Sequence, residues 1–130
     1  MVVDTSVLVA VILGEPDAEA VLSVLQANAG DLQVSAANLV EAGIVVEARQ
    51  GPEAATDLRI LIDRLGVEVA PVDPKQAQVA LAGWRRFGKG RHPAGLDFGD
   101  CFAYALAKAS NAPLLFKGDG FTQTDIVSAL

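Results

Sequence analysis

Met1-Val2-Val3-Asp4-Thr5-Ser6-Val7-Leu8-Val9-Ala10-Val11-Ile12-Leu13-Gly14 opens the chain and sets its architecture. Val2 and Val3 are β-branched and lead straight into a carboxylate, which predicts a short buried strand over about residues 2–4. Thr5 and Ser6 offer capping hydroxyls, and Val7–Leu13 follow as a short apolar helix over about 6–13. A strand that passes at once into a helix is the first half of a βα unit.

The same alternation continues outward. Gly14-Glu15-Pro16 breaks the helix, and Pro16 suits the first turn of a second helix over about 16–28, ended by Gly30. Leu32-Gln33-Val34-Ser35 predicts a strand, and Ser35 caps a long helix, Ala36–Gln50, stopped by Gly51-Pro52. A helix over about 53–64 carries Leu58, Leu61, Ile62 and Leu65 at helical spacing, with Gly66 at its end. Val67-Glu68-Val69 alternates as a strand. Asp73-Pro74 starts a helix over about 74–87, Gly88–Gly95 is a Gly-rich basic loop, and a helix over Asp97–Ser110 follows. Leu114-Leu115-Phe116 reads as a last buried strand before a polar tail containing Ile126-Val127. Strands alternating with helices predict one α/β domain over residues 1–130, with a parallel sheet of about four to five short strands and helices on both faces. Ligands of such sheets bind beyond the carboxyl ends of the strands. Asp4 stands at one such end and Asp119 follows another.

Composition narrows the function classes. The chain has 130 residues, 52% apolar, which excludes a disordered chain and suits a single domain. No apolar run approaches the ~18 residues of a membrane span, and Val7–Leu13 lacks the basic flank of a signal peptide. A cytoplasmic protein without a membrane partner is expected. The single Cys101 excludes a disulfide scaffold or a cysteine-based zinc site, and packing is its default role. No Ser-His-Asp order, phosphate loop, HExxH or GxGxxG is present. The net charge of −6 argues against a nucleic-acid partner only if the acids are spread evenly. Leu22, Leu25 and Ile60 are expected on outer helix faces, where a partner protein or a second copy would cover them.

The acids are not spread evenly. Glu15, Asp17 and Glu19 fall in a first helical turn, where the helix dipole favours them. Glu53, Asp57 and Asp63 fall on an exposed face, and Asp125 suits a cap. Asp4, Glu41, Asp100 and Asp119 have less ordinary positions. Asp4 closes an apolar strand, where a carboxylate is costly unless it is paired, binds a cation, or caps the next helix. Glu41 lies in a helix that is apolar almost all round, its alternative being a solvated stripe with Asn38, Val45 and Ala48. Asp97 and Asp100 are three apart and share a face. Asp97 reads as the cap, while Asp100 leads into the buried run Cys101–Leu106. Asp119 sits between two glycines, a common turn setting as well as a strand end.

Gathered in one place, such carboxylates need a cation, since two of them 4 Å apart repel by about 4 kcal/mol at an effective dielectric of ~20. An all-oxygen set suits Mg²⁺ or Mn²⁺, which can polarise a phosphodiester and activate a bound water. The basic residues cluster too. Arg85, Arg86, Lys89 and Arg91 are four of the ten Lys and Arg, they lead into the helix bearing Asp100, and with Lys117 they are candidate phosphate contacts. Thr5 or Ser6 could orient a carboxylate as well as cap a helix. Trp84 and Phe87 read as core aromatics rather than base-stacking groups, and nothing places His92 on a rigid element.

Met1–Ser6, Glu41 on the third helix, the block Gly95-Leu96-Asp97-Phe98-Gly99-Asp100-Cys101, and Leu114-Leu115-Phe116-Lys117-Gly118-Asp119 together resemble the PIN-domain ribonucleases. More narrowly, they resemble the VapC-type toxins of bacterial toxin–antitoxin pairs. The resemblance spans essentially the whole chain. It implies a Mg²⁺-dependent ribonuclease in which Asp4 and Asp100 are metal ligands, Mn²⁺ can substitute, and Glu41 completes the acidic pocket. Asp119 is implied as the fourth acid, with Asp97 in reserve, because Gly120 stands where relatives often carry a further acid. It also implies an RNA substrate, a homodimer, and a VapB-like antitoxin over the active-site groove. A structure-specific DNA nuclease and a non-catalytic binding module on the same fold are the alternatives.

Overall fold

A computed structural model describes residues 1–130. Its elements in chain order are β1 (Val2–Val3), α1 (Thr5–Leu13), α2 (Ala18–Ala27), β2 (Gln33–Ser35), α3 (Ala36–Gln50), α4 (Pro52–Leu65), β3 (Glu68–Ala70), α5 (Pro74–Phe87), α6 (Phe98–Ser110) and β4 (Leu114–Leu115), followed by a 3₁₀ turn, Gly120–Gln123. The four strands form one parallel sheet in the order β3-β2-β1-β4. β1 is central, and the connections leave it first toward β2 and later toward β4. The order therefore reverses beside β1, and the crevice beyond its carboxyl end is where such a sheet binds ligands.

Side-chain alternation divides the core in two. Val3 and Leu115 point into a cluster with Leu8, Leu25, Val34 and Leu58, covered by α1 to α4. Val2 and Leu114 point to the opposite face, with Phe87, Leu96, Tyr104 and Phe121 under α5 and α6. Successive residues of β1 and β4 thus serve different cores, which is why these two strands are apolar at every position. α5 and α6 pack closely because Gly83 lies against the Tyr104 ring, where any Cβ would overlap it. No helix is long and apolar enough to cross a membrane.

Several expectations need correction. α2 begins at Ala18, with Pro16 in the preceding turn rather than in the helix. The acids on either side of Pro16 are held from a distance: Lys117 Nζ meets Glu15 Oε1 at 2.6 Å and Asp17 Oδ1 at 2.9 Å. Asp17 makes no side-chain cap bond, so Glu15 and Asp17 act as an ion-pair clamp rather than as dipole partners. The Lys117 ammonium holds the Asp17 carboxyl below its ordinary value. Leu25 is fully buried, not on an outer face. The strands are shorter than expected, because Asp4 and Phe116 have already left the sheet. The fifth edge segment is one bridge, Ser128 beside Leu114.

Candidate active site

The first acid of the cleft follows directly from β1. Asp4 is 4% exposed, at the N-cap of α1. Its Oδ2 accepts from the Ser6 backbone N–H at 3.1 Å and from Ser6 Oγ at 2.6 Å. Capping uses one oxygen, and Oδ1 receives no donor from the protein, so the carboxylate caps the helix and still presents a free oxygen. Burial pushes its pKa up, opposed by the Ser6 bonds and reinforced by the charge of Glu41. Ser6 Oγ itself accepts from the Lys117 N–H at 3.1 Å, which ties the exit of β4 to the exit of β1.

Glu41 comes from α3, whose start is fixed by the Ser35 cap on Ala37 N–H. Thr5 Oγ1 donates to Glu41 Oε1 at 2.5 Å. Asn38, one turn earlier, is fully buried rather than part of a solvated stripe. Its Nδ2 donates to the Gly99 carbonyl at 2.9 Å and approaches Glu41 Oε1 at 3.4 Å. The Glu41 carboxylate lies over Gly99, where a Cβ would overlap Oε1, Oε2 and Cδ.

Asp100 sits in the first turn of α6 within a reciprocal capping box. Asp97 Oδ1 accepts from the Asp100 N–H at 2.9 Å, and Asp100 Oδ2 accepts from the Asp97 N–H at 3.1 Å. Its pKa is raised from 3.8 to about 7, chiefly by burial, with the charges of Asp97 and Asp4 adding to the shift. The charge of Asp4 thus meets that of Glu41 on α3 and that of Asp100 on α6. Asp119 does not join them by any hydrogen bond; it is exposed at the start of the 3₁₀ turn.

The basic residues divide in the same way. Arg86 pairs with Asp125, which Lys108 shares. The Arg91 guanidinium lies 4.9 Å from the Trp84 ring centre, and its Nε donates to the Arg85 carbonyl. Lys117 is held in its clamp. The side chains of Arg85 and Lys89 make no hydrogen bond or ion pair within the chain. Phe87 is buried as expected, whereas Trp84 lines an open apolar groove with Leu81, Phe98 and Phe102. Phe98, 81% exposed, lines a shallow groove beside Glu41 with Val40 and Ile44 at 62% and 65%. Asn38, Phe98 and Gly99 do not stand out in the sequence as site residues. Only Gly99, a glycine in the first turn of a helix, carries a local signal there, since glycine is a poor helix former.

The acid cluster predicts an unusual pH dependence of stability. Asp100 binds its proton more tightly in the folded than in the unfolded chain, so between about pH 4 and 7 the folded state holds more protons. Stability therefore falls as pH rises through that window, and buried Asp4 acts in the same direction. With solvent screening of the partly exposed Asp100, the change is on the order of 1–2 kcal/mol. In chelator, the melting temperature at pH 8 should lie several degrees below that at pH 5.5. Asp100→Asn should flatten the difference; a difference of the same size in that variant would contradict the assignment.

The chain is similar to known proteins in both sequence and fold. Residues 1–127 match the PIN domain family. The chain is 47% identical over 128 residues to a ribonuclease VapC of Mycolicibacterium smegmatis, covering 98% of both proteins. Its fold is similar to the crystal structure of Mycobacterium tuberculosis VapC20, described as a sarcin-ricin loop cleaving toxin, with a TM-score of 0.82 at 17% identity over 98% of this chain and 97% of that one. It also resembles a chain in the crystal structure of VapBC2 from Rickettsia felis bound to a DNA fragment from their promoter, with a TM-score of 0.77 at 17% identity over 98% and 95% of the two chains. With residues 1–127 matching one family and 98% of its length aligned to a ribonuclease VapC, the chain belongs to the PIN-domain family, within the VapC group.

Proposed function

We propose that the protein is a Mg²⁺-dependent endoribonuclease, the toxin of a toxin–antitoxin pair, that hydrolyses RNA in the cleft formed by Asp4, Glu41 and Asp100. The observation that carries this reading is the position of Asp4: buried just beyond the central strand, it feels the charge of Glu41 on α3 and adds its own charge to Asp100 on α6. Such groups favour a cation over their own mutual repulsion. The donors are all oxygen, as Mg²⁺ or Mn²⁺ prefers, and Asp4 and Asp100 would hold the ion. No three His, Cys, Asp or Glu side chains close on one point, so an ion here would keep several waters, as Mg²⁺ commonly does. When bound, the ion would polarise the scissile phosphodiester and stabilise the charge that develops on it.

The protein's own groups have separable tasks. Ser6 orients Asp4, and Asp97 orients Asp100 through the capping box. Thr5 holds Glu41 by Oε1, leaving Oε2 free to accept a proton from the attacking water. Arg85 and Lys89, free of internal partners in the basic segment that leads into α6, are the side chains assigned to the RNA backbone. Lys117 serves the site through its clamp and its backbone N–H. The cognate antitoxin would cover the cleft together with the apolar strip of Phe98, Val40 and Ile44, and a homodimer is the expected resting form. The VapBC2 assembly among the structural neighbours supports the antitoxin reading.

The purified protein should cleave single-stranded RNA with Mg²⁺ or Mn²⁺, stop with chelator, and stop with the antitoxin bound. Equal cleavage of DNA of the same sequence would instead indicate a DNA nuclease. No Mg²⁺ binding at millimolar concentration would indicate a binding module. If Arg85 and Lys89 meet phosphates, changing both to Ala should flatten the plot of log RNA affinity against log salt by roughly 0.7 for each phosphate no longer neutralised. Unchanged salt dependence would place the RNA elsewhere.

A further inference from the structure

We propose that Asn38 is a positioning residue that acts through Glu41. The inference rests on the role given to Glu41 above and adds a residue to which nothing so far assigns a task.

Asn38 occupies the third position of α3, fully enclosed. Its Nδ2 carries two hydrogens, and both directions are used. One points to the Gly99 carbonyl at 2.9 Å in the first turn of α6, the other toward Glu41 Oε1 at 3.4 Å. Both recipients are acceptors, so the orientation of the amide is determined by its neighbours and not by choice of flip. Its Oδ1 is then left buried with no donor, the only side-chain polar atom in the protein in that state. Buried amides are ordinarily satisfied, and an orphaned acceptor lowers stability. An apolar residue would fill this site without leaving an orphan. What the amide supplies, and an apolar residue cannot, is a fixed donor to Glu41 from a side chain anchored on α6.

The neighbouring contacts point the same way. Thr5 Oγ1 lies 2.5 Å from Glu41 Oε1 and 3.2 Å from the Asn38 carbonyl, and its one proton can serve only one of them. Glu41 Oε1 is thus approached by Thr5 from α1 and by Asn38 from its own helix, while its carboxylate rests over Gly99 of α6. Asn38 links the last two: it bonds the residue on which the carboxylate rests and the carboxylate itself. It thereby sets the distance between the acid on α3 and the start of the helix bearing Asp100. An aspartate at this position would have the same shape but no donor, and would add a like charge beside Glu41.

The test is a double-mutant cycle with Glu41→Gln, measuring initial rates of RNA cleavage at saturating Mg²⁺ well below each variant's melting temperature. Calorimetric Mn²⁺ affinity is measured on the same proteins. Asn38→Ala and the isosteric Asn38→Asp should each lower kcat by roughly 10–100-fold, the range seen when residues supporting a ligand are removed. In the Glu41→Gln background the same changes should cost less than about twofold, because there is no longer a carboxylate to place. Equal losses in both backgrounds would show a merely structural amide and overturn the proposal, as would no loss in either. A Glu41→Gln variant that cleaves at the full rate would remove the role of Glu41 itself, and with it this proposal. That failure is recognisable from the single variant alone.

Discussion

Asp100→Asn should reduce RNA cleavage by more than about 100-fold while leaving the fold intact and the metal-free protein more stable. The activity loss should exceed the roughly 10–100-fold typical of residues that only support a ligand, because Asp100 is proposed to touch the ion itself. The fold should survive because Asn keeps an oxygen for the Asp97 N–H, and Asp97 still accepts from the residue 100 N–H. Stability should rise because the substitution removes a charge that burial and the neighbouring Asp97 and Asp4 both disfavour. A fluorogenic RNA assay and a melting curve in chelator measure the two effects. Wild-type cleavage by Asp100→Asn would remove Asp100 from the site, and a lowered melting temperature would show that its charge stabilises the fold.

Gly99→Ala should have a comparable effect on activity by a different route. Gly99 is the second residue of α6, and a methyl there would occupy the volume of the Glu41 carboxylate. That carboxylate is the far end of a flexible side chain, so it can swing aside at small cost to folding. Alanine also favours the helix over glycine by up to about 1 kcal/mol. The melting temperature should therefore hold or rise slightly, while cleavage falls to the rate of Glu41→Gln. Combining Gly99→Ala with Glu41→Gln should give no further loss, as expected of two changes that remove one interaction. Full activity in Gly99→Ala would mean that the observed seat of Glu41 is not the working one.

These two residues illustrate what a single chain of letters reveals. The boundaries of α3 and α5 are legible because their signals are local: Ser35 and Gly51-Pro52 for one, Asp73-Pro74 and Gly88 for the other. The apolar run into Asp4, and the spacing of Asp97 and Asp100, carry enough to mark the acids. What stays hidden depends on contacts made far along the chain. Asn38 meets Gly99 across 61 residues, and Thr5 meets Glu41 across 36. Pro16 promises a helix start, but that segment is a turn whose flanking acids, Glu15 and Asp17, pair with Lys117, a hundred residues further along the chain. Leu25 looks suited to an outer face, and its burial becomes visible only once α2 lies against the core shared with Leu8 and Val34.

The single bridge beside Leu114 closes the β4 edge of the sheet. Leu114 N–H donates to the Val127 carbonyl and the Ala129 N–H returns to the Leu114 carbonyl, both at 2.9 Å, so residues 127–129 occupy the outer rim of β4. Open strand rims recruit other strands, and short coverings of this kind are a common defence. If a binding partner, a protease or a fusion drew residues 127–129 away, the two apolar residues of β4 would become an adhesive margin. Loss of this small seal would then appear as self-association and precipitation before any change in catalysis.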